Sequence, residues 1–179
     1  VFFKKNWKDL TFIFYINASY GYFYWNRISS ISQRFIFIDI GANQGLYTIC
    51  AASNNYCDKV YAFEPVKNTF SYLKENTFIN NLNKKCILIN KGISDKKKTI
   101  DVSINRNHSG AANLRNGHNE GNEYNKEKID LINFKELNDL VKYEKGTKII
   151  VKIDVEGHEA SVLKTLVLSN LINDINEIF

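Results

Sequence analysis

The chain has 179 residues, which suits one domain with a sizeable core and not comfortably two. It is 44% hydrophobic and 24% charged, as an ordinary globular protein is, and no stretch approaches the roughly 20 apolar residues of a membrane span. The net charge of +5 comes from scattered lysines, with one compact run at Lys96-Lys97-Lys98, so the concentrated basic face of a nucleic-acid binder is not expected.

Residues 1–25 are rich in aromatic side chains, among them Trp7, Phe12, Phe14, Tyr15, Tyr20 and Trp25. Such a segment either packs on the domain or forms a substrate-side element. Its longest apolar run, 10–16, ends at Asn17. No signal peptide is evident. The first residue is Val1 and the last four open a strand, so both natural ends are expected to be missing.

Residues 35–40 are a continuous apolar run interrupted only by Asp39, the pattern of a buried parallel strand. A glycine-containing turn and a short helix over 45–53 follow. The next strand, 60–64, again ends in an acid, Glu64, and Pro65 closes it. An amphipathic helix is predicted over 67–80, and a third strand over 86–89. Residues 99–104 alternate at period two, as a half-exposed strand does. Residues 105–128 are polar and rich in Asn and Gly, and read as a long loop of functional character. Asn133 and Glu136 have capping-box spacing for a helix to about residue 143. A buried strand over 149–154 ends in Asp154, a helix covers 158–169, and a last strand begins at 175.

Strands alternating with helices predict an α/β domain with a doubly wound, mostly parallel sheet of Rossmann-like form. Cys50, Cys57 and Cys86 are odd in number and form no C-x-x-C. Neither a disulfide framework nor a zinc site is predicted, which suits reduced thiols and a cytoplasmic location.

The chemistry concentrates at strand ends. Asp39, Glu64 and Asp154 end three predicted parallel strands, where open α/β sheets bind ligands. Three converging acids need a ligand or donors to satisfy them. The turn Asp39-Ile-Gly-Ala-Asn-Gln-Gly45 has G-x-x-x-G spacing rather than the G-x-G-x-x-G of a dinucleotide site. Asp39 before it suits an amine or a water-bridged cation better than a pyrophosphate. Glu64 is placed to accept both ribose hydroxyls of an adenosine. S-adenosylmethionine, with its ammonium, sulfonium and ribose, fits this set.

Four blocks, Asp39-Ile-Gly-Ala-Asn-Gln-Gly45, Tyr61-Ala-Phe-Glu-Pro65, Gly92-Ile-Ser-Asp95 and Lys152-Ile-Asp-Val-Glu-Gly-His-Glu159, resemble the FkbM-type methyltransferases in order and spacing. The resemblance covers residues 35–179 as the methyltransferase domain and leaves 1–34 as an aromatic-rich N-terminal extension. It implies a class I fold whose sheet continues for two strands past residue 179. It also implies methylation of an oxygen on a sugar, glycan or small secondary metabolite, with S-adenosylmethionine as cofactor. Asp39, Gly41, Ala42, Asn43 and Gly45 would line its methionine portion, Glu64 would hold the ribose, and Ser94 or Asp95 would sit near the adenine. Asp154 and His158 are the candidate bases, and Glu156 would orient acceptor or cofactor. No metal ligand set is indicated. His108 and His118, in the polar loop, either contact substrate or are merely exposed, and the segment from Asn107 to Asn113 is a candidate to border the acceptor pocket. Two alternatives remain: a nicotinamide oxidoreductase, and a truncated, non-catalytic domain that binds ligand or partner.

Overall fold

All six residues of strand β1 (Phe35–Ile40) are buried, which requires both faces of its sheet to be covered. Side chains alternate faces along a strand, and β1 divides accordingly. Phe35 and Phe37 enter one apolar cluster, and Ile36, Ile38 and Ile40 enter the other. Full burial of each such side chain is worth about 1.5–3 kcal/mol.

The computed structural model describes residues 1–105, 107–111 and 124–179. Before β1 come helices α1 (Leu10–Ile16) and α2 (Tyr22–Ser29). After it follow α3 (Leu46–Ser53), β2 (Cys57–Phe63), α4 (Lys67–Ile79) and β3 (Cys86–Ile89). Then come β4 (Gly92–Ile93), β5 (Lys98–Asn105), β6 (Tyr124–Ile132) and α5 (Phe134–Leu140). The described chain closes with β7 (Lys148–Ile153), α6 (Glu159–Leu168) and β8 (Ile175–Ile178).

The central sheet has the order β3-β2-β1-β7-β8, and every neighbouring pair is parallel. Residues from α2, α3 and α4 cover one face, while Leu137 of α5 and Val162 and Leu166 of α6 cover the other. This is the doubly wound, Rossmann-like architecture predicted.

The second sheet, β4-β6-β5, was only half legible. The period-two pattern predicts β5, but the polar run 105–128 reads as loop and takes in the first five residues of β6. β6 pairs antiparallel with β5 from Lys98↔Leu131 to Asn105↔Tyr124. Its first residues are polar because that end faces solvent, and only Ile129, Leu131 and Ile132 are buried. The predicted capping box of α5 forms, with Asn133 accepting from the Lys135 N–H and Glu136 accepting from the Asn133 N–H. That helix ends at Leu140, three residues earlier than predicted.

The N-terminal helices pack closely on the core. Ile28 of α2 is fully buried, Asn54 donates to the carbonyls of Ile28 and Ile31, and Arg27 pairs with Glu177 of β8. Gly21 at the head of α2 has φ +84°, and a Cβ there would lie 2.8 Å from the Tyr47 hydroxyl. A residue without a side chain lets the chain pass α3 at that distance.

Candidate active site

A cavity of about 330 Å³ opens at the carboxyl ends of β1, β2 and β7. Strand order reverses there: β1 has β2 on one side and β7 on the other, which is where such sheets bind ligands. The β4-β6-β5 sheet supplies an apolar wall through Val102, Ile129 and Leu131.

The turn after β1 is tied down by its backbone. The N–H groups of Gly41 and Ala42 both donate to the Phe63 carbonyl, and Asp154 N donates to the Ile40 carbonyl. Gly41 has φ +76°, and a Cβ there would sit 1.9 Å from the Asp154 carbonyl oxygen, so only glycine fits between β1 and β7. Asn43 follows at φ 49°, a conformation Asn tolerates better than most residues. Gly45 caps α3 and packs toward Leu73 rather than lining the cavity.

Left-handed Asn43 aims its N–H at Glu64 Oε2, 3.0 Å away, while Val66 N donates to Oε1 at 2.9 Å. Each Glu64 oxygen therefore has one backbone donor and can accept another. Glu64 is only 6% exposed, and burial pushes its carboxyl up to about 7 despite those two donors.

Asp39 behaves differently from expectation. It is fully buried and does not line the cavity. Its Oδ2 accepts from the Thr48 hydroxyl at 2.6 Å, and its Oδ1 lies 3.2 Å from Lys152 Nζ, an ion pair lacking hydrogen-bond alignment. The predicted cation beside Asp39 is thus a side chain of the protein. Lys152 is 5% exposed, donates to the Gly41 carbonyl at 2.7 Å, and lies over the Tyr47 ring at 5.3 Å. It also reaches within 3.9 Å of Asp154 Oδ2.

Asp154, Glu156 and His158 all line the cavity, where the family resemblance expects them. Tyr20 donates its hydroxyl to Asp154 Oδ2 at 3.0 Å. Burial and the adjacent Asp154 charge raise the Glu156 carboxyl above its usual range. Its backbone is left-handed, φ 44°, and residues held in such strained conformations gather at functional sites. His158 Nε2 lies 3.0 Å from the Ser94 hydroxyl, and burial, then Lys98, lower its pKa. Ser94 is fully buried, Asp95 pairs with Lys164, and neither lines the cavity. The flanking positions that do so are Gly92 and Ile93.

Residues before β1 complete the enclosure: Thr11, Phe14, Tyr15 and Tyr20 line it, with His108, Ser109 and Gly110 beside them. Ser109 links these parts. Its N–H donates to Asp9, its hydroxyl accepts from Gln44, and its single proton serves either Asp9 or Asn43. Asn113 and His118 lie outside the described residues.

Two side chains escaped sequence reasoning. Lys152 carried a signal, because a lone lysine inside the apolar strand Ile149-Ile150-Val151-Lys152-Ile153 must find a buried partner. Tyr47 carried none, since aromatic residues pack in most interiors, while Tyr20 belongs to the aromatic segment whose substrate-side reading its place on the cavity wall supports. Among the described residues, no group of His, Cys, Asp or Glu side chains is arranged to hold a metal ion. No helix described is long and apolar enough to cross a membrane.

No curated protein matches the sequence. Among solved structures, the chain is similar to an FkbM methyltransferase from Methylobacillus flagellatus, at 15% identity over 86% of this chain and 37% of that one, with TM-score 0.47. An rRNA methylase from Streptococcus thermophilus aligns at 12% identity over 86% and 63% of the two chains, with TM-score 0.48. TYW2 of M. jannaschii, solved in complex with AdoMet, aligns at 20% identity over 46% and 52%, with TM-score 0.34. The alignment spans less than two thirds of each of these proteins. The model of the methyltransferase FkbM domain matches residues 39–177, and the chain belongs to that family.

Proposed function

We propose that this domain binds S-adenosylmethionine in the cavity and methylates an oxygen of a sugar, glycan or small metabolite. The observation that carries the reading is Glu64. It is a buried carboxylate on the cavity wall whose two oxygens each hold one backbone donor and keep a lone pair for one more. A vicinal diol such as a ribose offers two such donors.

The rest of the cavity fits the same ligand. Its lining carries three carboxylates, Glu64, Asp154 and Glu156, against the single ammonium of Lys152, which already faces Asp39. A ligand bearing positive charge relieves that imbalance. The apolar wall of Ile93, Val102, Ile129 and Leu131 suits a flat heterocycle. S-adenosylmethionine supplies, when bound, a methyl group on a sulfonium, open to in-line displacement. The chain's residues do the remainder. Glu64 would hold the ribose, and the backbone of Gly41, Ala42 and Asn43 would border the methionine portion. Asp154 is fixed by Tyr20 and near Lys152, so its other oxygen is available to the cavity. Asp154 or His158 would take the acceptor proton. His158 must first release Ser94 or work through its other ring nitrogen.

The G-x-x-x-G turn, with its internal Asp39–Lys152 pair, leaves no obvious seat for a pyrophosphate, which weighs against the nicotinamide alternative. Calorimetric titration with S-adenosylmethionine, with NAD as control, tests the reading. Binding of S-adenosylmethionine alone, weakened about tenfold or more in Glu64→Ala, is expected. Binding of NAD in preference would overturn it. Binding without methyl transfer across a panel of sugar and metabolite hydroxyls would favour a non-catalytic ligand-binding domain.

A further inference from the structure

Tyr20 lies outside the family-matched span of 39–177, yet its hydroxyl meets Asp154 at the cavity. Tyr20 donates to Asp154 Oδ2 at 3.0 Å. Burial and the Asp154 charge push the Tyr20 hydroxyl up to about 12, so it remains a donor across the physiological range. The rings of Tyr15, Tyr20 and Tyr47 stand 6.3 and 6.4 Å apart in sequence, forming an aromatic wall beside the acid. Lys152 already occupies the Tyr47 ring. Tyr15, Tyr20 and Asp154 all line the cavity, and of the two rings Tyr20 is the one hydrogen-bonded to the carboxylate.

An aromatic ring beside a fixed carboxylate attracts a cation more than a neutral group of the same shape. Resting on the cofactor reading above, we propose that Tyr20 is a positioning residue: it holds Asp154 so that the cavity distinguishes the cationic methyl donor from its neutral demethylated product. The two ligands share their adenosine and amino-acid ends and differ only in the methyl group and its charge. Any contribution of Tyr20 to packing alone acts on both equally.

The test is calorimetric binding of S-adenosylmethionine and S-adenosylhomocysteine to wild type, Tyr20→Phe, Asp154→Asn and the double variant, with thermal melting to verify folding. In Tyr20→Phe, affinity for S-adenosylmethionine is expected to fall about fivefold while that for S-adenosylhomocysteine stays within about twofold. Asp154→Asn is expected to show the same selective loss, and the double variant no further loss, because the hydroxyl acts through the carboxylate. Equal weakening of both ligands in Tyr20→Phe, or additive losses in the double variant, would overturn the proposal. Should Tyr20→Phe fail to fold, Asp154→Asn alone decides, an equal loss of both ligands refuting it. A folded wild type that binds neither ligand overturns the cofactor reading itself, and this inference with it.

Discussion

Lys152 Nζ and Asp39 Oδ1 lie 3.2 Å apart beneath the Gly41 turn, both almost wholly buried. The acid one residue before the end of β1 is therefore balanced from the neighbouring strand β7. Removing one member leaves an uncompensated buried charge, whereas removing both does not. Lys152→Met is expected to lose about 3–5 kcal/mol of stability in urea unfolding, and Asp39→Asn/Lys152→Met to recover most of it. A double variant no more stable than Lys152→Met would show that the lysine matters chiefly through the Gly41 carbonyl.

Glu64 makes stability depend on pH. Its carboxyl is raised from 4.5 to about 7 by burial. A folded-state value above the unfolded one means stability fully present below about pH 4.5 and lost as pH rises through 7. Relative to Glu64→Gln, the wild type is expected to lose about 2–3 kcal/mol between pH 5 and pH 8, read from urea unfolding at each pH. A constant difference between the two proteins would contradict the burial assigned to Glu64.

Gly41 tests the close approach of β1 and β7. An alanine there meets the Asp154 carbonyl at 1.9 Å and must also adopt φ +76°. Gly41→Ala is expected to cost about 3 kcal/mol or more and to impair ligand binding as well. Wild-type stability in this variant would mean that the two strands can separate without penalty.

Burial, then Lys98, lowers the pKa of His158. Ring-proton NMR is expected to show it titrating below the usual imidazole range, and moving up toward that range in Lys98→Gln. Because its folded-state value is depressed, its contribution to stability is present above the unfolded value and lost as pH falls through that range.

Much of the fold was legible because its strands are buried on both faces. The runs 35–40 and 149–153 are apolar enough to be read without a partner, and the Asn133–Glu136 capping box is a local pattern. β6 escaped because its polar first half pairs with β5 at the surface, where neither composition nor period marks a strand. Glu64 and Asp154 were legible as cavity residues from their positions at strand ends, and Glu156 and His158 from the family resemblance. Ser94 and Asp95 follow a strand in the same way, yet Ser94 is buried against His158 and Asp95 turns to Lys164.

The sequence alone determined the alternation of strands and helices, the turn after β1, the strand-end acids and the family resemblance. The first three follow from short-range periodicity and composition, and the resemblance from four short motif blocks. Only the tertiary structure decided which acid faces the cavity and which is neutralised from within, because Asp39 and Lys152 are distant in sequence and meet only when β1 and β7 pair. It also decided that residues before β1 enclose the cavity. Tyr20 reaches Asp154 across a separation of 134 residues, a contact that burial of α2 against the core creates and that no local pattern encodes.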